Sequence, residues 1–373
     1  MIYLDYQATT PVAPEVAAAM LPWIETRFGN PHSPHRLGRE AAAAIEVARS
    51  HVAAAIGAGA GHVYFTSGAT EAANWALKGA AARLPVAKRK IVTVATEHAC
   101  VLDTAEWLVA QGIELDVLPV GPDGLVDLAL AADCIDARTG LVAAMLVNNE
   151  IGVIQPIEEI GALARSRDAL FLCDAVQGLG RVPIPVAACD MIAVSGHKVH
   201  GPKGIGALWI GDGVKIDPLL HGGGQEGGIR SGTLSPALCV GFGEAARLLN
   251  ERAGDDDVHV ESLWAAAWSV LGGDWTLNGS PERRYRGNLN IRAPKVDAAR
   301  LISEVREVAF SAGSACASGS GRPSHVLSAL GLNRREARSS IRLGFGRYTT
   351  EGDLVRALTM IGEAAARQRS QTP

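Results

Sequence analysis

Short apolar runs alternate with longer amphipathic stretches through the middle of the chain, and this alternation restricts the fold more than any other feature. The apolar runs predict strands over residues 63–66, 91–95, 141–147, 170–173, 191–194 and 207–210. The amphipathic stretches predict helices over residues 71–82, 101–111, 157–167 and 236–250. Strands that are apolar throughout and separated by helices are typical of a largely parallel sheet with helices on both faces. The sequence therefore predicts an α/β fold.

The length of the chain predicts one large domain and a smaller one. At about 150 residues per domain, 373 residues correspond to roughly 2.5 domains. The acidic run Asp255-Asp256-Asp257 follows the last of these helices and is typical of a solvated turn between two units. We therefore expect a large domain over residues 13–255. We expect residues 1–12 and 256–373 to form the small domain, with the N-terminal segment packed on the second unit.

Composition and charge argue against several classes of protein. Hydrophobic residues make up 48% of the chain and charged residues 20%, a balance that excludes a disordered protein. The net charge of −4 argues against a nucleic-acid binder. No apolar run is long enough to span a bilayer, and the first residues lack the features of a secretory signal. We therefore expect a cytoplasmic protein with no nucleic-acid partner and no membrane partner.

Polar side chains that are capable of chemistry follow four of the predicted strands. The four segments are Thr96-Glu97-His98, Asn148-Asn149-Glu150, Asp174-Ala175-Val176-Gln177 and Ser195-Gly196-His197-Lys198. In open α/β sheets, ligands bind at the carboxyl ends of the strands. Any one of these segments could be an ordinary turn or helix cap, but four in succession predict a ligand-binding site at this edge.

A fifth segment, residues 65–71, joins a predicted strand to a helix through small residues. Free N–H groups at the start of a helix, together with Ser and Thr hydroxyls, suit a phosphate group. An ordinary helix start with Glu71 in the first turn explains the same residues. Taken alone, this segment favours the simpler interpretation.

Lys198 lies just beyond a predicted buried strand, where a lysine is poorly placed for solvent. A partly buried amine suits a Schiff base with an aldehyde, although a surface lysine in a turn fits this position equally well. A pyridoxal phosphate site also needs a carboxylate that keeps the pyridine nitrogen protonated, and Asp174 ends a nearby strand. His98 could place a ring on the face of that cofactor, and Gln177 could reach its ring hydroxyl.

The six cysteines are scattered and include no CxxC pair. They are Cys100, Cys134, Cys173, Cys189, Cys239 and Cys316. Their spacing predicts neither a disulfide framework nor a zinc site. Five lie among apolar residues, where a cysteine is usually a small buried hydrophobe. Cys316 instead lies in a segment of Gly, Ser and Ala, which suits either an exposed reactive thiol or a flexible turn.

Ordered motifs are spread over nearly the whole chain. They are YLDYQATTP (3–11), GNPHS (29–33), FTSGATE (65–71), TEH (96–98), VNNEIG (147–152), DAVQ (174–177), SGHK (195–198), GPKG (201–204), HGGGQE (221–226), RSGT (230–233), GSAC (313–316) and SSIR (339–342). With them the chain resembles the cysteine desulfurases of the NifS/IscS type, in the class-V aminotransferase group. The resemblance implies the fold-type-I architecture of pyridoxal-phosphate enzymes. This architecture is α/β, with a large domain whose mostly parallel sheet is flanked by helices, and a smaller α+β domain.

The resemblance also implies pyridoxal 5′-phosphate as the cofactor and a role for each matching residue. Lys198 would bind the cofactor as a Schiff base, Asp174 would pair with the pyridinium nitrogen, and His98 would stack on the ring and shuttle protons. Gln177 and Asn149 would bond the ring hydroxyl and the substrate side of the site.

Further matching residues would bind the phosphate and the substrate. The phosphate would be bound by Ala69, Thr70, Ser195 and His197. Thr233 would reach the phosphate of the neighbouring subunit, which implies a homodimer with shared active sites. Arg342 would bind the substrate carboxylate as a bidentate fork.

The implied reaction converts L-cysteine to L-alanine. Lys198 would move the α-proton, and the Cys316 thiolate would attack the substrate sulfur and carry it as a persulfide. The stretch between Cys316 and the next apolar helix, near Val326, resembles the long-loop type that delivers sulfur to a scaffold protein. The acceptor would serve iron–sulfur cluster assembly or tRNA thiolation, with Cys316 as a transient iron–sulfur ligand and no other metal site.

Several alternatives stay open at this point. A selenocysteine lyase could use the same site, whereas an aminotransferase needs no thiol at Cys316. An idle partner-binding subunit would be free to lose Lys198 or Cys316, and a metal hydrolase would need more ligands than His197 and His200. Long-loop relatives often carry a further C-terminal tail that docks the scaffold. The sequence reaches Pro373 soon after a last amphipathic helix, which argues against that docking mode.

Overall fold

The computed structural model describes residues 1–58, 62–313 and 324–371. Its largest sheet consists of β2 (Val63–Thr66), β3 (Lys90–Val94), β4 (Glu114–Leu118), β5 (Thr139–Met145), β6 (Leu170–Asp174), β7 (Met191–Ser195) and β8 (Gly206–Ile210). These strands lie side by side in the order β2-β8-β7-β6-β5-β3-β4. Five neighbouring strands, β7 to β4, pair in parallel, whereas β8 runs antiparallel to both of its neighbours. The predicted α/β fold with a mostly parallel sheet is confirmed.

Helices cover both faces of this sheet and connect its strands. Those of the described residues are α1 (Pro14–Glu25), α2 (Arg36–Ile56), α3 (Ala69–Ala81), α4 (Ala99–Val109), α5 (Leu128–Cys134), α6 (Ile157–Ser166), α7 (Pro236–Leu271), α8 (Ala298–Glu304), α9 (His325–Ala329), α10 (Arg334–Arg338) and α11 (Glu351–Gln371). Within this part of the chain, none of them has both the length and the apolar character needed to cross a bilayer.

Alternate residues of each buried strand pack into two different cores, as the period of a β-strand requires. In β7, Met191 and Ala193 pack with residues of α3 and α4. Ile192 and Val194 point to the opposite face and pack with residues of α2, α6 and α7. Because both faces are covered, every residue of this strand is buried, which explains its continuous apolar sequence.

A second, smaller sheet has its own core. It consists of β9 (Thr276–Leu277), β10 (Asn288–Arg292), β12 (Ser311–Ala312) and β13 (Ser340–Gly344), all antiparallel. The N-terminal strand β1 (Ile2–Tyr3) pairs in parallel with β11 (Val308–Ala309) next to it. Ile2 and Leu4 are buried in this second core together with residues of α8 and α11. The domain bounds at residues 12/13 and 255/256 stay a prediction.

Helix α7 corrects the expectation of a turn at the acidic run 255–257. The run lies inside one continuous helix of 36 residues. The first half of the helix buries Phe242 in a core of the large sheet, and the second half buries Leu263 in the core of the small sheet. Asp255 and Asp257 are exposed on its surface, and Asp256 pairs with Arg347 at 2.6 Å. A run of three acidic residues is therefore compatible with a solvated helix face as well as with a turn. Here the helix continues through the run because its two halves are buried in two different cores.

The parallel strands bring distant polar residues to one edge. Asp174 ends β6, and Lys198 follows the end of β7 by three residues. His98 follows the end of β3, and Asn149 follows the end of β5. Since parallel strands have their carboxyl ends at the same edge, the four residues come from one side of the sheet.

Phe242 tests the packing of α7 on the large sheet. Its side chain is fully buried, with its ring centroid 6.5 Å from that of Phe65 in an edge-to-face arrangement. Phe242→Ala is expected to lower the free energy of unfolding by about 3–5 kcal/mol, because it removes buried apolar surface and leaves a cavity. Urea denaturation measures this value. Val258→Ala, at a 74% exposed position of the same helix, is the control and should change stability by less than about 0.5 kcal/mol. Equal effects of the two variants would contradict the described packing.

Candidate active site

A cavity of about 890 Å³ lies at the carboxyl edge of the large sheet. Ten of the residues predicted for the site line it: Ala69, Thr70, His98, Asn149, Asp174, Gln177, Ser195, His197, Lys198 and Arg342. The N-terminal segment lines it as well, through Gln7, Ala8 and Thr9. The fold thus brings residues from both ends of the chain to one place.

Lys198 points into this cavity. It ends a short turn that follows β7, and its side chain is half-buried. Its Nζ donates to the carbonyl oxygens of Gln7, at 2.6 Å, and Ala8, at 2.8 Å. The side chain is therefore not that of a surface turn, and it places an amine where a bound aldehyde could react with it.

Two titratable groups near Lys198 are Asp174, which is buried, and His98, which is half-buried. The carboxylate of Asp174 accepts the N–H of Val176 at 2.9 Å, and burial raises its pKa. His98 begins α4, and its Nδ1 accepts the N–H of Cys100 at 3.1 Å. Because Nδ1 is an acceptor, the neutral imidazole carries its proton on Nε2. Burial lowers the pKa of His98, which favours this neutral form.

The start of α3 has the donors that a phosphate group requires. No side chain caps this helix, so the N–H groups of Ala69 and Thr70 have no acceptor among the described residues. Gly68 precedes them with a φ of +152°, a conformation that favours glycine. Glu71 does not cap the helix but pairs with Arg230 and accepts the N–H of Ser67. The phosphate interpretation therefore fits this helix start better than the ordinary cap.

Ser195 and His197 line the same cavity as this helix start. Ser195 is the last residue of β7 and is buried. The Nδ1 atom of His197 lies 3.2 Å from Oγ1 of Thr9. Burial and the neighbouring charge of Lys198 lower the pKa of His197 to about 4. Its imidazole is therefore neutral near pH 7, and it can donate or accept a hydrogen bond without adding a positive charge to the cavity.

Arg342 contributes to the cavity lining from the small sheet. Its side chain is 1% exposed and lies in β13 of the small sheet. Its guanidinium donates to the carbonyl of Asn149 at 3.0 Å and to Asp5 at 2.8 Å. The buried Nε has no hydrogen-bond partner among the described residues. The guanidinium pairs with Asp5 and belongs to a residue that lines the cavity, so it is a cation of the kind that binds carboxylates.

Glu150, Ser324 and His325 also line the cavity, although the sequence predicts no role for them. The hydroxyl of Ser324 donates to the carboxyl group of Glu150. Burial raises the pKa of Glu150 to about 7, although Ser324 and the charge of Arg342 act in the opposite direction. The signal for Glu150 was present, since it directly follows a predicted strand end. Ser324 and His325 carried no such signal.

Two predicted residues are not among the described residues that line this cavity. Thr233 is exposed and does not line it. Cys316 lies outside the described residues. Within residues 1–58, 62–313 and 324–371, no group of three or more His, Cys, Asp or Glu side chains could bind a metal ion.

Comparisons with known proteins agree on one family. The family described as Aminotransferase class-V matches residues 2–357. A curated relative, the cysteine desulfurase IscS of Rickettsia bellii, is 45% identical over 380 residues, which cover 100% of this chain and 93% of the relative. A solved NifS-like protein superposes with a TM-score of 0.90 at 34% identity and covers 98% of this chain and 99% of its own. SspA in complex with cysteine superposes with a TM-score of 0.80 at 34% identity, covering 94% and 100%.

The carboxyl group of Glu150 predicts a pH dependence of stability. Its pKa is raised from 4.5 to about 7, so the folded protein binds this proton more tightly than the unfolded chain does. The free energy of unfolding should therefore fall as the pH rises from about 4.5 to 7, by roughly 3 kcal/mol from this group. Glu150→Gln should remove that part of the slope in urea denaturation at several pH values.

The control for this experiment is Glu106→Gln, at an exposed position of α4, which should leave the slope unchanged. An unchanged slope in Glu150→Gln would show that Glu150 ionises in the folded protein at its ordinary pKa.

Proposed function

Because this chain belongs to the aminotransferase class-V family, in which it is a pyridoxal-phosphate-dependent cysteine desulfurase, we propose that its cavity converts L-cysteine to L-alanine and that Cys316 carries the sulfur to an acceptor protein. The observation that carries the proposal is the placement of Lys198, Asp174 and Arg342 around one cavity. These residues supply an amine, a buried carboxylate and a carboxylate-binding cation, which are the groups that this reaction needs.

The residues of the cavity fit pyridoxal phosphate. The N–H groups of Ala69 and Thr70, which have no acceptor among the described residues, would bind its phosphate together with Ser195 and His197 of the same cavity. The buried carboxylate of Asp174 would pair with the protonated pyridine nitrogen. When bound, the cofactor supplies an electron-withdrawing ring that stabilises negative charge on the α-carbon of the substrate.

The other residues would bind the substrate and move its proton. Arg342 would bind the substrate carboxylate through its guanidinium, and Asn149 lines the same cavity. The amine of Lys198 would take the α-proton, since it enters the cavity from the end of β7. The neutral imidazole of His98 carries a proton on Nε2 and would exchange protons with groups above the ring.

The sulfur would leave through the Cys316 thiolate. A bond forms between Sγ of Cys316 and the substrate sulfur while the bond between that sulfur and the β-carbon breaks. The carbon takes the electron pair and a proton, which gives alanine, and Cys316 keeps the sulfur as a persulfide. No external oxidant is needed, because the sulfur is oxidised by the carbon that it leaves. The persulfide would then pass to an acceptor or scaffold protein for iron–sulfur cluster assembly or tRNA thiolation.

Single-turnover assays with L-cysteine, without reductant, test this reaction. The wild-type holoenzyme should form alanine and a protein persulfide in equal amounts, and Cys316→Ala should lose the persulfide and nearly all of the alanine, a fall of at least about 100-fold. Cys134→Ala, on α5 and away from the cavity, is the matched control and should keep both products.

Two outcomes would contradict the proposal. Alanine without a persulfide, or full activity of Cys316→Ala, would exclude sulfur transfer through this residue. A rate with L-selenocysteine that exceeds the rate with L-cysteine many times would favour a selenocysteine lyase.

A homodimer with shared active sites is the second part of the proposal. Thr233 is exposed and does not line the cavity of its own chain, so it is free to reach another subunit. The exposed glycine-rich segment before it is nevertheless fixed in place, because Glu226 accepts hydrogen bonds from Arg49, at 2.7 and 2.8 Å, and from the N–H of Phe65. An exposed but anchored segment is suited to contact a second copy of the chain.

Mixed dimers test the shared site. Lys198→Ala and Thr233→Ala each damage a different part of the site, and both variants alone should be nearly inactive at limiting cofactor. If Thr233 contributes to the partner's site, subunit exchange in an equal mixture of the two variants gives mixed dimers that each contain one intact site. About half of the dimers are mixed, so the mixture should recover about a quarter of the wild-type rate. A mixture that stays as inactive as its components would place Thr233 in its own subunit or exclude the dimer, and light scattering separates these two results.

A further inference from the structure

Arg181 lies behind the cavity and contacts two residues that line it. One of its Nη atoms donates to the side-chain Oε1 of Gln177, and the other donates to the carbonyl of Lys198 at 2.9 Å. Its guanidinium also lies over the ring of Tyr285, 5.3 Å from the centroid. No carboxylate of the described residues lies within ion-pair distance of it. Its hydrogen bonds are therefore made to neutral acceptors at the back of the site.

These contacts fix the orientation of the Gln177 side chain. A guanidinium can only donate hydrogen bonds, so the side-chain oxygen of Gln177 must face Arg181. A backbone carbonyl can only accept, so the side-chain NH2 of Gln177 must face the oxygen of Gln7, at 2.9 Å. A rotation of the amide by 180° would break both hydrogen bonds. Its NH2 group would then face the donors of Arg181, and its oxygen would face the carbonyl oxygen of Gln7.

The amide donor of Gln177 and the amine of Lys198 meet at the same oxygen atom. The carbonyl of Gln7 accepts from Nζ of Lys198 at 2.6 Å and from Nε2 of Gln177 at 2.9 Å. All three residues line the cavity. The end of Gln177 that faces away from Arg181 is thus a donor that shares one acceptor with the lysine amine. Because an amide NH2 has two hydrogens, the second can be donated to another acceptor in the cavity.

We propose that Arg181 is a positioning residue that keeps Gln177 oriented as a hydrogen-bond donor toward the ring oxygen of the cofactor. The inference rests on the proposed function, since it requires pyridoxal phosphate in this cavity, with Gln177 at its ring hydroxyl as the family resemblance implies. A glutamine that is free to rotate presents its oxygen to a negatively charged ring oxygen for part of the time, and two acceptors repel each other. The guanidinium excludes that orientation. The carbonyl of Lys198 and the ring of Tyr285 keep the guanidinium itself in place.

The sequence contains no motif that marks Arg181. It follows Gln177 by four residues, in a turn after β6. The contact to Lys198 joins this turn to the turn after β7, 17 residues later in the chain. Only the pairing of β6 with β7 brings the two turns together.

A double-mutant cycle on the full chain tests the proposal with two measurements that do not depend on turnover. These are the equilibrium dissociation constant of pyridoxal phosphate from the cofactor-free protein and the visible absorbance spectrum of the bound cofactor. Arg181→Met keeps an unbranched apolar side chain as long as the arginine stem and removes the guanidinium donors. It should weaken binding about tenfold and change the spectrum, as expected for the loss of one hydrogen bond to a charged group.

A positioning role is recognised by the effect of Arg181→Met in a chain that already carries Gln177→Ala. In Gln177→Ala, the further change Arg181→Met should weaken binding by less than about twofold, because its effect passes through Gln177. Arg181→Lys keeps a donor and should recover part of the loss. Gln177→Glu, with Arg181 intact, should weaken binding more than Gln177→Ala does, since it presents an acceptor oxygen to the ring oxygen. Arg83→Met, at an exposed arginine paired with Asp217, is the control and should change neither measurement.

Three results would overturn the inference, and they differ from a failure of the proposed function. Equal losses for Arg181→Met in both backgrounds would show a structural role only. Gln177→Glu binding as tightly as wild type would show that the orientation of residue 177 is unimportant. If the protein binds the cofactor and Gln177→Ala leaves the dissociation constant unchanged, Gln177 does not contact the ring oxygen. A wild-type chain that binds no pyridoxal phosphate would instead refute the proposed function itself.

Discussion

The hydrogen bonds between the Lys198 amine and the carbonyls of Gln7 and Ala8 are the contact on which the site depends. They join the edge of the large sheet to the N-terminal segment, whose strand is paired with β11 beside the small sheet. The same segment continues along the turn after β7, where Thr10 donates to the carbonyl of His197. Without this segment the cavity would lose one wall, and the lysine would lose the acceptors that place its amine.

Those parts of the fold that follow from local pattern could be predicted from the sequence. Strands buried on both faces must be apolar throughout, so the run from Met191 to Val194 identified β7 without any knowledge of its neighbours. The polar residues after such strands identified Lys198 and Asp174, because parallel strands gather their carboxyl ends at one edge. The identity of the cofactor and of the reaction came from the resemblance of the motifs, since residue types at strand ends are compatible with many reactions.

Features that arise from contacts distant in the chain could not be predicted. Arg181 carries no local signal, and its contact to Lys198 exists only because β6 and β7 are adjacent. The continuation of α7 through residues 255–257 depends on the second core, which buries Leu263, and on Arg347, which pairs with Asp256. Glu150 could have been noticed after its strand, but its raised pKa follows from burial that only the assembled site produces.

The unbroken course of α7 has a mechanical consequence. A helix of 36 residues is about 54 Å long, and this one is fixed in one core near its start and in the other near its end. It therefore connects the two cores rigidly. Lys198, at the edge of the large sheet, and Arg342, in the small sheet, line the cavity between them. Because both cores hold the same helix, a kink or break within α7 would change the position of Arg342 relative to Lys198, and with it the shape of the cavity that they share.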